Sequence, residues 1–302
     1  MNLVLADEFR DGNVPAAYQG LAVAKAAYAA LPSTVKEFYY RGDSACHEHG
    51  QVDWLRNEQR EEGPQGFIGF AISARMSPAL RSAVKAVEEG HWAPYGRPDS
   101  EVIRECADVV FVPNEHSEHK QLQPLRYVGV RIRRKQGGLL EEGSEDRHFA
   151  VLTNIREWTA SRLLRWHREK AGTIEAVHDV LKNELAAGVL PCGRFGANAA
   201  WLRLAILTHN VLTALKRLAL PVELLRPKRL RFLFFNTAGR LVHHARRAIL
   251  RLASNMTRLA EYLAALRLLP LRAQDSLSTD LRSLFRKNPA KARPKPLRQP
   301  PR

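Results

Sequence analysis

The chain has 302 residues, of which 45% are hydrophobic and 26% charged, and this composition is typical of a globular protein with a sizeable core. No apolar run approaches the ~18 residues that a bilayer-spanning helix needs, so we expect no membrane partner. The first residues, MNLVLADEFRDG, carry acids where a signal peptide carries basic charge, and the three cysteines are too few and too widely spaced for a disulfide framework. We therefore expect a cytoplasmic protein.

The net charge of +16 is distributed unevenly. Residues 203–302 hold 22 Lys and Arg against four acids, whereas the preceding 202 residues hold 25 basic and 27 acidic side chains. Such asymmetry favours a polyanionic partner for the C-terminal third, with nucleic acid as the leading candidate. A solvated basic helix followed by a disordered tail is the plain alternative.

The first hundred residues alternate between helical and strand patterns. The spacing of apolar residues predicts a helix over 14–31, strands at VKEFYY and FIGFAIS, a helix over 52–59, and a helix that begins after the capping residue Ser77. FIGFAIS is apolar throughout, as expected for a strand buried on both faces. Together these elements predict an α/β core with a parallel component.

The pattern changes near residue 100. CADVVFVP, LRYVGVRIRR and RHFAVLTN predict a β-rich insert, and helices resume at Glu157 with EWTASRLLRWHREK, TIEAVHDVLKNELAAG and NAAWLRLAILTHNVLTALKRLAL. KRLRFLFFN and GRLVHHA indicate a small hairpin, followed by an Arg-rich helix to about Leu269. Residues 288–302 are too polar and proline-rich to pack a core, so we expect them to be disordered.

Two carboxylates form the main chemical candidate. Asp43 follows directly after the strand VKEFYY, and Glu175 lies on a helix for which Thr173 is the expected N-cap. Basic residues of RWHREK precede Glu175. Carboxylates near cations form the layout of two-metal phosphodiester chemistry, because Mg²⁺ takes carboxylate oxygens while keeping water and phosphate oxygens. Such a site normally needs three carboxylates, and a solvated polar face is the plain alternative.

Several smaller motifs leave alternatives open. Arg41-Gly42-Asp43 has the form of an adhesion tripeptide, but nothing else in the chain supports an extracellular role. CHEH, from Cys46 to His49, matches no standard zinc spacing. Trp166 could stack on bases or belong to the core. The insert also carries three arginines, Arg131, Arg133 and Arg134. They could contact DNA phosphates or simply be solvated, and the sequence favours neither role.

Three segments resemble the DDE transposases of bacterial insertion sequences, in particular the insertion sequence 1380 group. They are RGDSAC, FAISARMSPALRSAV and the long block HREKAGTIEAVHDVLKNELAAGVLPCGRFGANAAW. The resemblance runs from EFRDGNVPA to about GRLVHHARRAILRL. It implies a ribonuclease-H-like fold with a β-rich insertion between the second and third acidic residues. It also implies DNA transposition, with element ends and target DNA as partners.

The resemblance assigns roles to individual residues. Asp43 matches the second catalytic acid and Glu175 the third, and both would hold Mg²⁺ or Mn²⁺. Lys182 matches a lysine that contacts DNA phosphate. Sister groups carry an arginine four residues before the glutamate, where this chain has Ala171, so we assign phosphate binding to the neighbouring basic residues Arg165, Arg168 and Lys170. Self-association on DNA and association with the nucleoid are further expectations.

The match begins after the segment that carries the first catalytic aspartate in the family. The resemblance therefore implies that the first strands are missing, and we expect a truncated transposase with impaired cleavage. A non-catalytic DNA-binding or transposition-inhibiting fragment is the alternative. We predict a partial ribonuclease-H-like core at 1–100, the insertion at 101–155, helical core carrying the glutamate at 156–220, a basic helical region at 221–287, and the tail at 288–302.

Overall fold

The computed structural model describes residues 2–96, 102–113, 123–134, 146–219, 226–232, 236, 239–245 and 247–252. The chain divides into two compact units. The larger comprises Asn2–Asp179 and Leu190–Arg203, and the smaller comprises Val180–Val189 and the described residues from Leu204 onward. The predicted disordered tail and most of the predicted Arg-rich helix lie outside the described residues.

The first half of the larger unit alternates helices and strands, as predicted. Its elements are α1 (Gly20–Ala29), β1 (Phe38–Gly42), α2 (His49–Arg56), β2 (Ile68–Ser73) and α3 (Pro78–Lys85). β1 and β2 are parallel, which confirms the expected parallel component. The first helix begins at Gly20 and not near residue 14, because the preceding residues form turns such as the one closed by the Tyr18 N–H and the Pro15 carbonyl.

The strands of the predicted insert extend the same sheet. They are β3 (Ala93–Pro94), β4 (Val102–Val109), β5 (Arg126–Arg134) and β6 (Arg147–Thr153). The strand order is β1-β2-β6-β5-β4-β3, and β6 pairs antiparallel with β2. The β-rich segment is thus continuous with the strands that lead to the candidate site. The proposed domain boundaries remain predictions.

Strand β2 is buried on both faces of the sheet. Successive side chains of a strand point to opposite sides, so the two faces of β2 pack against different helices. Ile68, Phe70 and Ile72 of β2 pack against the buried residues of α2 and α3. Ala71 points the other way, toward Leu163 and Leu164 of α4 (Ala160–Arg168). β2 is accordingly buried along almost its whole length, as its continuous apolar run predicts.

Helix α3 has the N-cap that the sequence predicts, and the C-terminal end of α2 is stabilised by a side chain. Ser77 caps α3 by accepting a hydrogen bond from the Leu80 N–H at 3.1 Å. The C-terminal carbonyls of α2 are satisfied by Arg60, whose guanidinium is buried and donates to the carbonyls of Trp54 and Leu55. The same guanidinium donates to the carbonyls of Pro64 and Gly66, so one side chain organises the whole connection to β2.

The arginines of the insert are ion-paired. Arg131 is buried and donates to Glu89 at 2.6 Å and to Glu105 at 2.9 Å, and Arg133 shares both carboxylates. The guanidinium of Arg131 also lies 4.4 Å from the centre of the Trp92 ring. Neither phosphate tracking nor simple solvation describes Arg131 and Arg133, because their charges serve to hold β4 and β5 to the segment around Glu89.

The smaller unit departs most from the sequence prediction. It contains the π-helical turn Val180–Glu184, most of α6 (Phe195–Ala219), α7 (Pro227–Leu230), and a hairpin of β7 (Gly239–His244) and β8 (Arg247–Leu252). KRL is therefore helical, and the hairpin lies one segment later than predicted. Residues 247–252 form a strand where an Arg-rich helix was expected. None of the helices within the described residues is long and apolar enough to cross a bilayer.

We predict that Arg60→Met lowers the free energy of unfolding by about 3 kcal/mol, because it leaves several partly buried carbonyl groups without a donor. Urea unfolding followed by circular dichroism measures this change. The matched control is Arg81→Met on the exposed surface of α3, which should shift stability by less than about 0.5 kcal/mol. Equal effects of the two substitutions would contradict the role assigned to Arg60.

Candidate active site

The candidate site lies where the carboxyl ends of β1 and β2 meet. Because the two strands are parallel, with Gly42 opposite Ile72, Asp43 and Ser73 come to the same edge of the sheet. The Asp43 side chain is exposed, and its Oδ1 accepts a hydrogen bond from the Ala45 N–H at 3.0 Å. This bond makes Asp43 the N-cap of a short 3-10 turn, Ser44–Cys46, and fixes the orientation of the carboxylate.

Gly42 explains why the chain can turn so tightly before Asp43. A Cβ at this position would lie 2.7 Å from the Cβ of Cys46 and 3.1 Å from a ring carbon of Tyr40. Gly42 is buried, and Arg41 points inward to donate to the Trp166 carbonyl at 2.6 Å. The tripeptide Arg41-Gly42-Asp43 is thus a structural turn leading to the carboxylate and is not presented as an adhesion loop.

Helix α4 and the turn that follows it contact the strand ends through one side chain each, His167 and Lys170. Nε2 of the buried His167 lies 3.1 Å from the Gly42 carbonyl oxygen and 3.4 Å from Ser73 Oγ. Lys170 Nζ donates to the same Gly42 carbonyl and lies 3.4 Å from Ser73 Oγ. Since a carbonyl oxygen only accepts, Nε2 of His167 must carry the proton. Together His167 and Lys170 hold the ends of β1 and β2 beneath Asp43.

The electrostatics of this group follow from burial. Desolvation, reinforced by the positive charge of Lys170, lowers the pKa of His167 to about 4, so the imidazole is neutral near pH 7. Burial also lowers the pKa of Lys170, and the negative charges of Asp43 and Glu175 oppose that shift. Lys170 therefore interacts electrostatically with both candidate carboxylates.

Glu175 lies in the first turn of α5 (Thr173–Asp179), and its carboxylate is exposed. Its Oε2 accepts from the Gly172 N–H at 2.9 Å, as the glutamate of a capping box does. The predicted N-cap, Thr173, is instead the first residue of the helix, and its hydroxyl donates to the Lys170 carbonyl at 2.6 Å. This chain of contacts connects Glu175 to Lys170 and thus to the strand end that carries Asp43.

A cleft of about 570 Å³ is lined by Ser44, the residue that follows Asp43, but by neither candidate carboxylate. Its polar lining includes Ser44, Ser73, Arg75 and Arg168, and its apolar lining includes Tyr95. Arg75 Nε donates to the Ser44 carbonyl at 3.1 Å, so this guanidinium is fixed at the cleft. The cleft thus combines a largely apolar lining with the guanidinium groups of Arg75 and Arg168.

The remaining predicted phosphate-binding residues fall in different places. Arg165 and Arg168 are exposed on α4, where they can meet an anion. Lys182 belongs to the π-helical turn of the smaller unit, since α5 ends at Asp179. Its contact with phosphate stays a prediction.

Two alternative sites are not supported. Within the described residues no group of three or more His, Cys, Asp or Glu side chains is arranged to hold a metal ion. In the CHEH segment, Nδ1 of His47 accepts from the Arg75 N–H at 2.8 Å, which gives this histidine a structural role. Trp166 packs with Trp158 at a ring distance of 5.3 Å and with Tyr39 at 5.7 Å, so the core interpretation of this tryptophan is favoured over base stacking.

Sequence reasoning missed three contributors to the site, namely Gly42, Ser73 and His167. The signal for His167 was its spacing of three residues from Lys170, which places both side chains on one side of a helix end. Nothing local identifies Ser73, because its partners lie on a helix more than 90 residues away.

Comparison with known proteins identifies the class. The family described as transposase DDE domain group 1 matches residues 2–273, far more than half of the chain. The chain therefore belongs to the DDE transposase family, and DNA is the partner that this family implies. No curated protein matches it.

We predict that His167 makes stability fall as the pH falls from 6.5 to 4. Between these pH values the histidine of the unfolded chain becomes protonated, whereas the histidine of the folded chain, with a pKa of about 4, stays largely neutral. The free energy of unfolding should drop by on the order of 3 kcal/mol from this source. Urea titrations at several pH values measure the drop.

The His167→Gln variant keeps an amide donor but should lack this component of the pH dependence. His91→Gln, on the exposed surface, is the matched control and should retain it. A pH dependence that is the same in the His167→Gln variant and the parent chain would contradict the assignment.

Proposed function

We propose that this chain is the transposase polypeptide of a bacterial insertion sequence, of the insertion sequence 1380 group. Its residues would act in cutting the phosphodiester at element ends and joining the new 3′ end to target DNA. The observation that supports this best is the position of Lys170, whose Nζ binds the Gly42 carbonyl directly before Asp43 and whose own carbonyl accepts from Thr173 at the start of the helix that carries Glu175. One lysine thus connects the strand end of Asp43 with the helix of Glu175, although 132 residues of sequence separate the two acids.

The two candidate ligands are carboxylates, and carboxylate oxygens are the ligand type that hard divalent cations prefer. Asp43 uses Oδ1 and Glu175 uses Oε2 to bind backbone N–H groups, which holds each side chain in one orientation. We propose that they hold Mg²⁺ or Mn²⁺, whose remaining ligands would be water and phosphate oxygens. Bound in pairs, such ions activate the attacking oxygen and neutralise charge on the leaving oxygen.

The other residues of the site position the substrate. Arg165 and Arg168 present positive charge on α4, and we propose that they bind the DNA backbone. Lys170 and Lys182 are proposed as further phosphate contacts. In this arrangement the protein contributes by orienting the scissile phosphate and by offsetting its charge.

The donor set is smaller than this chemistry normally requires. Two carboxylates, Asp43 and Glu175, have been assigned, and the described residues contain no group of three His, Cys, Asp or Glu side chains placed to hold a metal ion. We therefore propose that strand cleavage by this chain is impaired, as the resemblance suggested when it left the first aspartate unassigned. Self-association on DNA and a nucleoid location belong to the same proposal.

A non-catalytic DNA-binding or transposition-inhibiting role is the second candidate. It is favoured by the same shortage of metal ligands and by the excess of 22 basic over four acidic residues at positions 203–302. In that case DNA binding should depend steeply on salt and be unaffected by loss of Asp43.

We predict that Asp43→Asn weakens Mn²⁺ binding at least about tenfold, because one of two anionic ligands is replaced by a neutral amide. Electron paramagnetic resonance of free Mn²⁺ during titration with protein measures the affinity without requiring cleavage. Asp11→Asn, at an exposed aspartate outside the site, is the matched control.

Cleavage of an element-end duplex with Mg²⁺ is measured in parallel. We expect little or no product from the parent chain and none from Asp43→Asn. Robust cleavage by the parent chain would refute the proposed impairment. Mn²⁺ affinity that is insensitive to Asp43→Asn would refute the metal site and favour the non-catalytic role.

A further inference from the structure

The hairpin of the smaller unit has a cross-strand pair of like charges. β7 and β8 are antiparallel, and Arg240 is directly opposite Arg251. Both side chains are exposed, and within the described residues neither has an ion-pair partner. Like charges opposite each other destabilise an antiparallel pair, so this arrangement costs the isolated hairpin stability.

Alternation along the strands collects positive charge on one face. Arg240, Val242 and His244 share a face with Ile249 and Arg251, because opposite residues of a ladder point to the same side. The other face carries residues such as Leu241 and Ala248. The sequence from 224 to 260 contains no Asp or Glu, so no neighbouring acid along the chain neutralises the basic face.

A bound polyanion would neutralise the repulsion between Arg240 and Arg251. The shape of the hairpin indicates which class of polyanion it can bind. A two-stranded β-ribbon fits the major groove of B-form DNA, whereas the major groove of A-form RNA is too deep and narrow to admit side chains. An anionic bilayer would reward one apolar face flanked by cations, but the exposed Ile249 lies on the face of Arg240 and Arg251 whereas the exposed Leu241 lies on the other, so the apolar residues are divided between the two faces.

We propose that the β7–β8 hairpin is a docking element for duplex DNA, with Arg240 and Arg251 binding backbone phosphates. The proposal rests on the proposed function for the identity of the DNA as transposon DNA. It differs from the candidate active site in that it uses no carboxylate or metal ion.

Fluorescence anisotropy of a labelled duplex over a salt series tests the hairpin directly. Arg240→Ala/Arg251→Ala should lower affinity about tenfold at 0.1 M salt and reduce the magnitude of the slope of log K against log salt by about 2. Arg240→Lys/Arg251→Lys keeps both charges and should keep most of the slope. The matched control Arg81→Ala/Arg147→Ala removes the same charge from exposed positions of the larger unit and should leave binding unchanged.

A second measurement uses the parent chain and does not depend on the folding of a variant. Phenylglyoxal modifies accessible arginines, and mass spectrometry reads each site. Bound duplex should protect Arg240 and Arg251 but leave Arg81 reactive.

The outcomes separate this proposal from the function it rests on. If the parent chain binds duplex DNA while the alanine variant keeps its affinity and Arg240 stays reactive, the hairpin proposal alone is overturned. If the parent chain fails to bind duplex DNA, both proposals are overturned. Equal competition by double-stranded RNA would overturn the choice of B-form DNA as the ligand.

Discussion

One peptide carbonyl, that of Gly42, organises the candidate site. It accepts hydrogen bonds from His167 and from Lys170, and both donors also lie near the hydroxyl of Ser73. Strand β1, strand β2 and helix α4 are thereby fixed at one point, immediately before Asp43. The lack of a side chain at Gly42 lets Cys46 and Tyr40 pack against the turn. These contacts hold the backbone that leads to Asp43, and the Ala45 N–H then fixes the orientation of its carboxylate.

The neutral imidazole of His167 and the ammonium of Lys170 together determine the charge around the Gly42 carbonyl. A protonated His167 beside Lys170 would place two buried positive charges on one carbonyl, and desolvation prevents this by keeping the imidazole neutral. The remaining charge on Lys170 compensates Asp43 and Glu175. A DNA phosphate or a cation that binds here adds its charge to those of Lys170, Asp43 and Glu175.

The sequence was informative where structure is decided locally. The continuous apolar run of β2, the Ser77-Pro78 helix start and the aspartate following β1 were predicted because propensity and capping act over a few residues. The β7–β8 hairpin was placed one segment too early, since its turn uses Ala245 at φ 48° without the usual glycine or asparagine. The inward direction of Lys170 was missed because its acceptor lies 128 residues away in the sequence.

The sheet order has a consequence for how the protein folds. β6 lies between β2 and β5, so the strand that completes the neighbourhood of β2 is made about 80 residues later. Helix α4, which holds the strand ends, follows later still. A growing chain on the ribosome can pair β2 with β1, but the other edge of β2 must stay unpaired until β6 is synthesised, and non-local pairing of this kind makes folding slow. The candidate site can form only after Glu175 has left the ribosome, so the length of the nascent chain sets the earliest time at which the site exists.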